Sequence, residues 1–368
     1  MRPFVTQNCI ILEANLIPNG IADNRIRRSK PPSPRLLPQK GRMPNLQRFL
    51  ETSGTDMKPM ASRFAGNDVP HTGPAWTSIY TGLRAEQHGV TEDGWTEGQI
   101  SLTPHFENTV FSQLMNDGLS VGSLTMPITY PAQVENGRSW MLSGYPSSGL
   151  TDRLLSPTKK QPALPDDYST LQAKALLSEE GPKPPEQWVE SERRKVNDVL
   201  PSLTTGVEDV LFYGTQITDT MGHRARYRPF RLNGALTLAC ERVNGLLGTA
   251  IQPPRVGSIA WTNEMRTAYE TLDWILGTLI EDYDPVDVLL VSDHGFQMIG
   301  ADHEFLGVSA STSGIERPES ILEVKRVILD RFGINNSQES VAVDRPKDEL
   351  NEEESENVMG QLEALGYR

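Results

Sequence analysis

The chain is 368 residues long, 37% hydrophobic and 23% charged, with a formal net charge of −13 at pH 7. That length allows one large α/β domain or two smaller ones, and the negative charge argues against a general binder of nucleic acid or of anionic membranes. Two cysteines, Cys9 and Cys240, are too few for a disulfide framework and fit a reducing compartment. No apolar run is long enough to span a bilayer, and Met1–Asn8 lacks the basic and apolar regions of a signal peptide. The cytoplasm is therefore the expected location, with no membrane partner.

Cys9 to Glu13 is a short apolar run that predicts the first strand, ending near Asn15. Asn24 to Arg42 is rich in Pro, Arg and Lys and reads as an irregular, solvated segment. Met43 to Thr52, with Leu46, Phe49 and Leu50 apolar and Ser53-Gly54 behind, predicts a short amphipathic helix. Pro70 to Leu83 reads as a loop entering a helix at Pro74, which leaves Thr72 near the N-cap. Val110, Phe111, Leu114 and Met115 mark a helix stopped near Gly118, followed by a strand over Leu119–Thr125.

From Pro131 to Pro201 prolines, glycines and charges dominate and no β-rich run stands out. This stretch, 131–201, reads as a cap or insertion with helices near Thr170–Leu177 and Glu186–Val196. Residues 1–130 and 202–368 then form the main domain. Strand character returns at Asp209–Tyr213. Met265, Ala268, Tyr269, Leu272, Ile275, Leu276 and Leu279 share one helical face and lead into a strand at Val288. An acidic tail, Gln338–Asn357, precedes a last helix at Val358–Leu365. Helix and strand alternate, which predicts an α/β sandwich around a largely parallel sheet.

The chemistry concentrates where apolar runs end. Val288-Leu289-Leu290-Val291 stops at Ser292-Asp293-His294-Gly295. A strand buried on both faces does not normally end in a carboxylate and an imidazole without a partner for the charge; a divalent cation suits both donors, while Asp293 capping a turn and His294 packing in the core is the other reading. Val210–Tyr213 runs into a loop carrying Asp219 and His223, and Asp302-His303 follows shortly after the Asp-His pair. Three of the six histidines fall in these places. Open parallel sheets gather such loops at the carboxyl ends of their strands. Thr72 supplies a hydroxyl at a helix start, where free N–H groups and the helix dipole favour a bound phosphate. A bare threonine hydroxyl is a poor nucleophile at neutral pH, and metal coordination is one way to activate it.

Taken in order, these segments resemble the type I phosphodiesterase/nucleotide pyrophosphatase family of the alkaline phosphatase superfamily. The residues that carry the resemblance are Met43-Pro44-Asn45-Leu46, Thr72-Gly73-Pro74-Ala75-Trp76 with Thr81-Gly82-Leu83 and His88-Gly89-Val90, then Pro127-Ile128-Thr129-Tyr130-Pro131, Asn136-Gly137 and Ser143-Gly144. Asp219 with His223, Ser292-Asp293-His294-Gly295-Phe296 and Leu365-Gly366-Tyr367 complete the series. The resemblance implies a three-layer α/β/α sandwich and two divalent ions bridged by a phosphate, usually zinc, with manganese or iron as substitutes. Asp219, His223 and His303 would hold one ion; Asp293, His294 and Thr72 the other, with Thr72 as nucleophile. The family's first-strand metal Asp is missing here. Asn15 is the best positional match and Glu13 the next.

The implied activity is hydrolysis of a small phosphate ester, a phosphodiester or nucleotide pyrophosphate, through a phosphothreonine intermediate, with no nucleic acid polymer as partner. A phosphomonoesterase or phosphomutase of the same superfamily is the alternative within the fold. A non-catalytic binding protein with a degenerate second metal site is the alternative from another class, and Asn15 is the residue that favours it. A sulfatase of this fold needs a Cys or Ser at position 72 for its formylglycine and an Arg where Trp76 stands, and this chain has neither.

Overall fold

The structure is a computed structural model that describes residues 9–13, 42–62, 70–91, 103–147, 152–172, 176–178, 181–206, 208–224, 263–296 and 303–335. In chain order the elements begin with β1 (Cys9–Glu13), α1 (Pro44–Ser53), β2 (Lys58–Ala61) and α2 (Thr72–Thr81). Next come α3 (Val110–Asn116), β3 (Val121–Leu124), β4 (Trp140–Leu142), β5 (Leu155–Ser156), β6 (Leu177–Ser178), β7 (Gly181–Pro182) and α4 (Pro185–Arg194). The remainder are β8 (Val210–Tyr213), α5 (217–224), α6 (Asn263–Tyr283), β9 (Asp287–Val291), β10 (Gly295–Phe296), β11 (His303–Glu304), β12 (Leu306–Ser311) and α7 (Val324–Arg331).

Eight strands form one sheet in the order β2-β12-β9-β1-β8-β3-β4-β5. The inner strands β9, β1, β8, β3 and β4 run parallel to one another, whereas β12, β2 and β5 join antiparallel at the two edges. β3, β8 and β9 are buried along their whole length. Val210–Tyr213 in β8 and Val288–Val291 in β9 read as continuous apolar runs for that reason, since a parallel sheet is covered on both faces. The helices sort into two sets: α2, α3 and α7 pack on one another, and α1 and α4 both pack on α6. One set covers each face, giving the three-layer α/β/α sandwich expected.

The α1–α6 contact shows why the segment Met43-Pro44-Asn45-Leu46 reads as it does. Met43 at the N-cap has no side-chain oxygen to offer the first-turn amides. Asp273 of α6 caps them instead, its Oδ1 accepting from Leu46 N at 2.8 Å and its Oδ2 from Asn45 N at 3.2 Å. Asn45 Nδ2 returns a bond to the Asp273 carbonyl at 3.1 Å. A helix start is thus capped by a residue 227 positions further along the chain.

Several sequence expectations are corrected. Trp140–Leu142 and Leu155–Ser156 lie inside 131–201, where no strand was expected, yet both belong to the central sheet. They are two- and three-residue pieces among prolines and glycines, too short to register as runs. Later in the same stretch, α4 packs against α6 and so belongs to a helical layer of the sandwich. Of the helix expected near Thr170–Leu177, residues 173–175 lie outside the described residues; Tyr168–Leu171 is a 3₁₀ turn, Leu176 is helical, and Leu177-Ser178 pairs with Gly181-Pro182 as β6 and β7. The Glu186–Val196 helix is present as α4 and runs on into a π-helical turn over Lys195–Val199. α2 starts at Thr72 rather than Pro74, with His71 in the N-cap position. Proline is tolerated at the third helical residue because first-turn amides have no intrahelical acceptor. The segment around Asn24, the acidic tail, the last helix and Asn15 lie outside the described residues.

Candidate metal centre and active site

The carboxyl ends of the parallel strands open on one rim of the sheet, and the expected donors converge there. β1 sits between β9 and β8, with Glu13 in register with Val291 and Leu12 with Tyr213. β9 therefore delivers Asp293 and His294 on one side of β1, and β8 delivers the segment leading to Asp219 on the other. Asp219 and His223 are not on a loop, as expected, but on helix α5. Their spacing of four then has a direct meaning, because residues i and i+4 share a helical face. His303 arrives from β11, which pairs with β10 so that His303 lies opposite Phe296.

The geometry is tight. Asp219 Oδ1 lies 3.6 Å from His223 Nε2, 3.6 Å from His303 Nε2 and 3.8 Å from His294 Nε2. His303 Nε2 and His223 Nε2 are 3.2 Å apart. Asp219, His223 and His303 together could hold a metal ion, with one ligand atom from each lying within 4.8 Å of the others. His294 Nε2 is 3.4 Å from Asp293 Oδ2 and 3.5 Å from Thr72 Oγ1. The His294 and His303 rings stack with centroids 3.8 Å apart. Two donor sets, well separated in the chain, meet at one point beside a threonine hydroxyl.

Charge and hydrogen bonding favour a cation at the Asp219 set. Asp219, Asp293, His294 and His303 are almost fully buried. Asp219 Oδ1 accepts no hydrogen bond among the described residues. A buried carboxylate oxygen left so is costly unless something positive faces it. His303 Nδ1 donates to the Pro70 carbonyl at 2.6 Å, and His294 Nδ1 lies 3.2 Å from the Gly295 carbonyl. With their Nδ1 protons committed to backbone oxygens, both imidazoles turn an Nε2 lone pair toward Asp219. This is the outer-shell arrangement by which histidine ligands are held in the correct tautomer. The residues present fit a divalent ion.

Burial pushes the Asp219 carboxyl up to about 7. Burial likewise holds the His294 imidazole down to about 3; the Gly295 carbonyl opposes this, and the nearby His223 and His71 rings reinforce it. The signs matter for metal-linked stability. In the metal-free protein, Asp219 weakens the fold as pH rises from the ordinary carboxylate range toward 7. His294 weakens it as pH falls from about 6.5 toward 3. A cation takes the ionised Asp219, so binding below about pH 7 must displace a proton. The rise in thermal midpoint on adding manganese should therefore be larger at pH 8 than at pH 5.5. Thermal scans with and without the ion check this, and a rise independent of pH would contradict it.

Two residues at the site were not singled out from sequence. His71, directly before Thr72, is buried with its ring edge-on to His303 at 6.3 Å. Tyr145, just past β4, lies close enough to Asp219 for the carboxylate charge to raise its hydroxyl pKa further, beyond the larger effect of burial. A lone His beside a Thr, or a Tyr before a Pro, carries no spacing signal of its own. The loop that follows β3 is built into the rim by glycines. A Cβ on Gly144 would fall 2.2 Å from the Thr125 carbonyl oxygen, and one on Gly214 would fall 2.5 Å from it. That close approach explains the Ser143-Gly144 pair.

A family model described as type I phosphodiesterase / nucleotide pyrophosphatase matches residues 33–361. The chain belongs to the type I phosphodiesterase/nucleotide pyrophosphatase family. No curated protein matches its sequence. Among solved structures it is similar to phosphonoacetate hydrolase from Sinorhizobium meliloti 1021, at 16% identity over 78% of this chain and 56% of that one, with a TM-score of 0.38. The chain thus spans just over half the length of that relative. It is also similar to the soluble domain of lipooligosaccharide phosphoethanolamine transferase A from Neisseria meningitidis, at 12% identity over 90% of this chain and 89% of that one, with a TM-score of 0.42. Phosphonate monoester hydrolase of Agrobacterium radiobacter matches at 12% identity over 89% and 74%, also with a TM-score of 0.42. No helix of this family member, among the described residues, is long and apolar enough to cross a membrane.

Proposed function

We propose that this family member is a metal-dependent hydrolase of small phosphate esters, cleaving phosphodiester or nucleotide pyrophosphate bonds with Thr72 as its nucleophile. The observation that carries the reading is the position of the Thr72 hydroxyl. It lies 3.5 Å from His294 Nε2, which is itself 3.8 Å from Asp219 Oδ1. Asp219, His223 and His303 would hold one divalent ion. Asp293, His294 and Thr72 would hold a second, with Asn15 or Glu13 in the place of the missing Asp. Bound zinc, manganese or iron would supply positive charge that lowers the hydroxyl pKa and neutralises the phosphoryl oxygens.

The residues of the chain account for the rest. Thr72 Oγ attacks phosphorus and displaces the alcohol or phosphate of the leaving group. Water then cleaves the phosphothreonine to release the product and restore the hydroxyl. The first turn of α2 presents backbone amides to the phosphoryl group, as helix starts do for anions. His303, tied to the Pro70 carbonyl, holds the approach to Thr72 in place. With near-complete burial of Thr72 and His294, the reacting oxygen has few competing waters.

Turnover of bis- and mono-(p-nitrophenyl) phosphate with added zinc or manganese tests the proposal. Faster cleavage of the diester is the expected result, and faster cleavage of the monoester would favour the phosphomonoesterase or phosphomutase alternative. Asn15 supports a second reading, a binding protein that lost its second ion. One ion per chain with no turnover of either ester would establish it.

A further inference from the structure

Tyr145 has a hydroxyl whose surroundings the fold does not explain. Its backbone is fixed: the Tyr145 carbonyl accepts from Ile128 N at 2.9 Å, and Gly144 N donates to the Met126 carbonyl at 3.1 Å. Ser143 Oγ donates to the Thr129 carbonyl at 2.8 Å. The side chain is 4% exposed. Yet its Oη has no hydrogen-bond partner among the described residues. Other buried tyrosines of the sandwich do better. Tyr80 Oη donates to the Pro127 carbonyl at 2.8 Å, and Tyr213 Oη donates to Glu192 Oε2 at 2.9 Å. A buried phenol that lacks an acceptor calls for a reason.

Its place suggests one. Tyr145 stands beyond the carboxyl end of β4, on the rim where Asp219 and Asp293 emerge, and within electrostatic reach of Asp219. It is a donor beside the donor-hungry part of the site. We propose that Tyr145 is a substrate-binding residue, whose hydroxyl donates a hydrogen bond to a non-bridging oxygen of the phosphoryl group bound beside Asp219. The assignment rests on the phosphate-ester reading of this site.

Tyr145→Phe tests it, because the ring and its packing are kept while the hydroxyl is removed. The probe is inorganic phosphate, titrated calorimetrically into the manganese-loaded wild type and variant, with manganese content and thermal midpoint measured on both. The expected result is phosphate affinity weakened about 10- to 100-fold, as for loss of one hydrogen bond to a charged group, with manganese content unchanged. Diester kcat/KM should fall by a similar factor. Unchanged phosphate affinity, or no phosphate binding to the wild type at all, would overturn the assignment. So would loss of manganese from the variant, since the hydroxyl would then be supporting Asp219. If phosphate binding depends on Tyr145 but the wild type cleaves no ester, the hydrolase reading fails and the assignment stands.

Discussion

Thr72→Ala should reduce turnover of the best phosphate ester by about three to six orders of magnitude, the usual consequence of removing a nucleophile. Folding should be nearly untouched. Thr72 is the first residue of α2, where alanine is well accommodated, and its hydroxyl lies 3.5 Å from His294 Nε2, at the long limit of a hydrogen bond. The metal set at Asp219, His223 and His303 contains no atom of Thr72. The variant should therefore retain an ion there and a thermal midpoint close to wild type. Thr72→Ser, which restores a hydroxyl, should recover part of the rate. Wild-type turnover in Thr72→Ala would remove Thr72 from the mechanism and leave a directly attacking water in its place.

Asp219→Asn has the second large effect, and it works in two directions. Asp219 Oδ1 is the common neighbour of three imidazole nitrogens, all within 3.8 Å. Replacing it with an uncharged amide should weaken metal binding by about 100-fold or more, and activity should fall with the metal. The metal-free protein should move the other way at pH 8. Burial raises the carboxyl pKa to about 7, so at pH 8 the apo fold carries a buried charge that the amide does not. A higher apo midpoint together with a lost metal increment is the expected pair of results in thermal scans. A variant that keeps full metal content would show that Asp219 is not a ligand.

Much of this was legible in the sequence where residue type and local pattern agree. Val288 to Val291 is a buried central strand, as its apolar run implied, and the His294 imidazole at its end lies beside Asp293, Asp219 and Thr72. The i, i+4 pair Asp219 and His223 was visible as donors, but the Thr- and Gly-containing segment around it hid its helix. Thr72 could be found because a proline and glycine mark the helix start, although the first helical residue is Thr72 itself. Other features are tertiary and leave no local trace. β4 and β5 are too short to show as runs, and Leu177, at the end of an expected helix, pairs in a small hairpin. The cap of α1 by Asp273 depends on two segments 227 residues apart. His71 and Tyr145 join the site only because the rim of a parallel sheet gathers loops from distant strands.

Anomalous diffraction from crystals grown with zinc is the most direct test of the central claim. A peak within bonding distance of Asp219, His223 and His303 is the predicted result, with any second ion lying about 4 Å away beside Asp293, His294 and Thr72. Zinc bound only elsewhere on the chain, with these side chains empty in the same crystals, would contradict it.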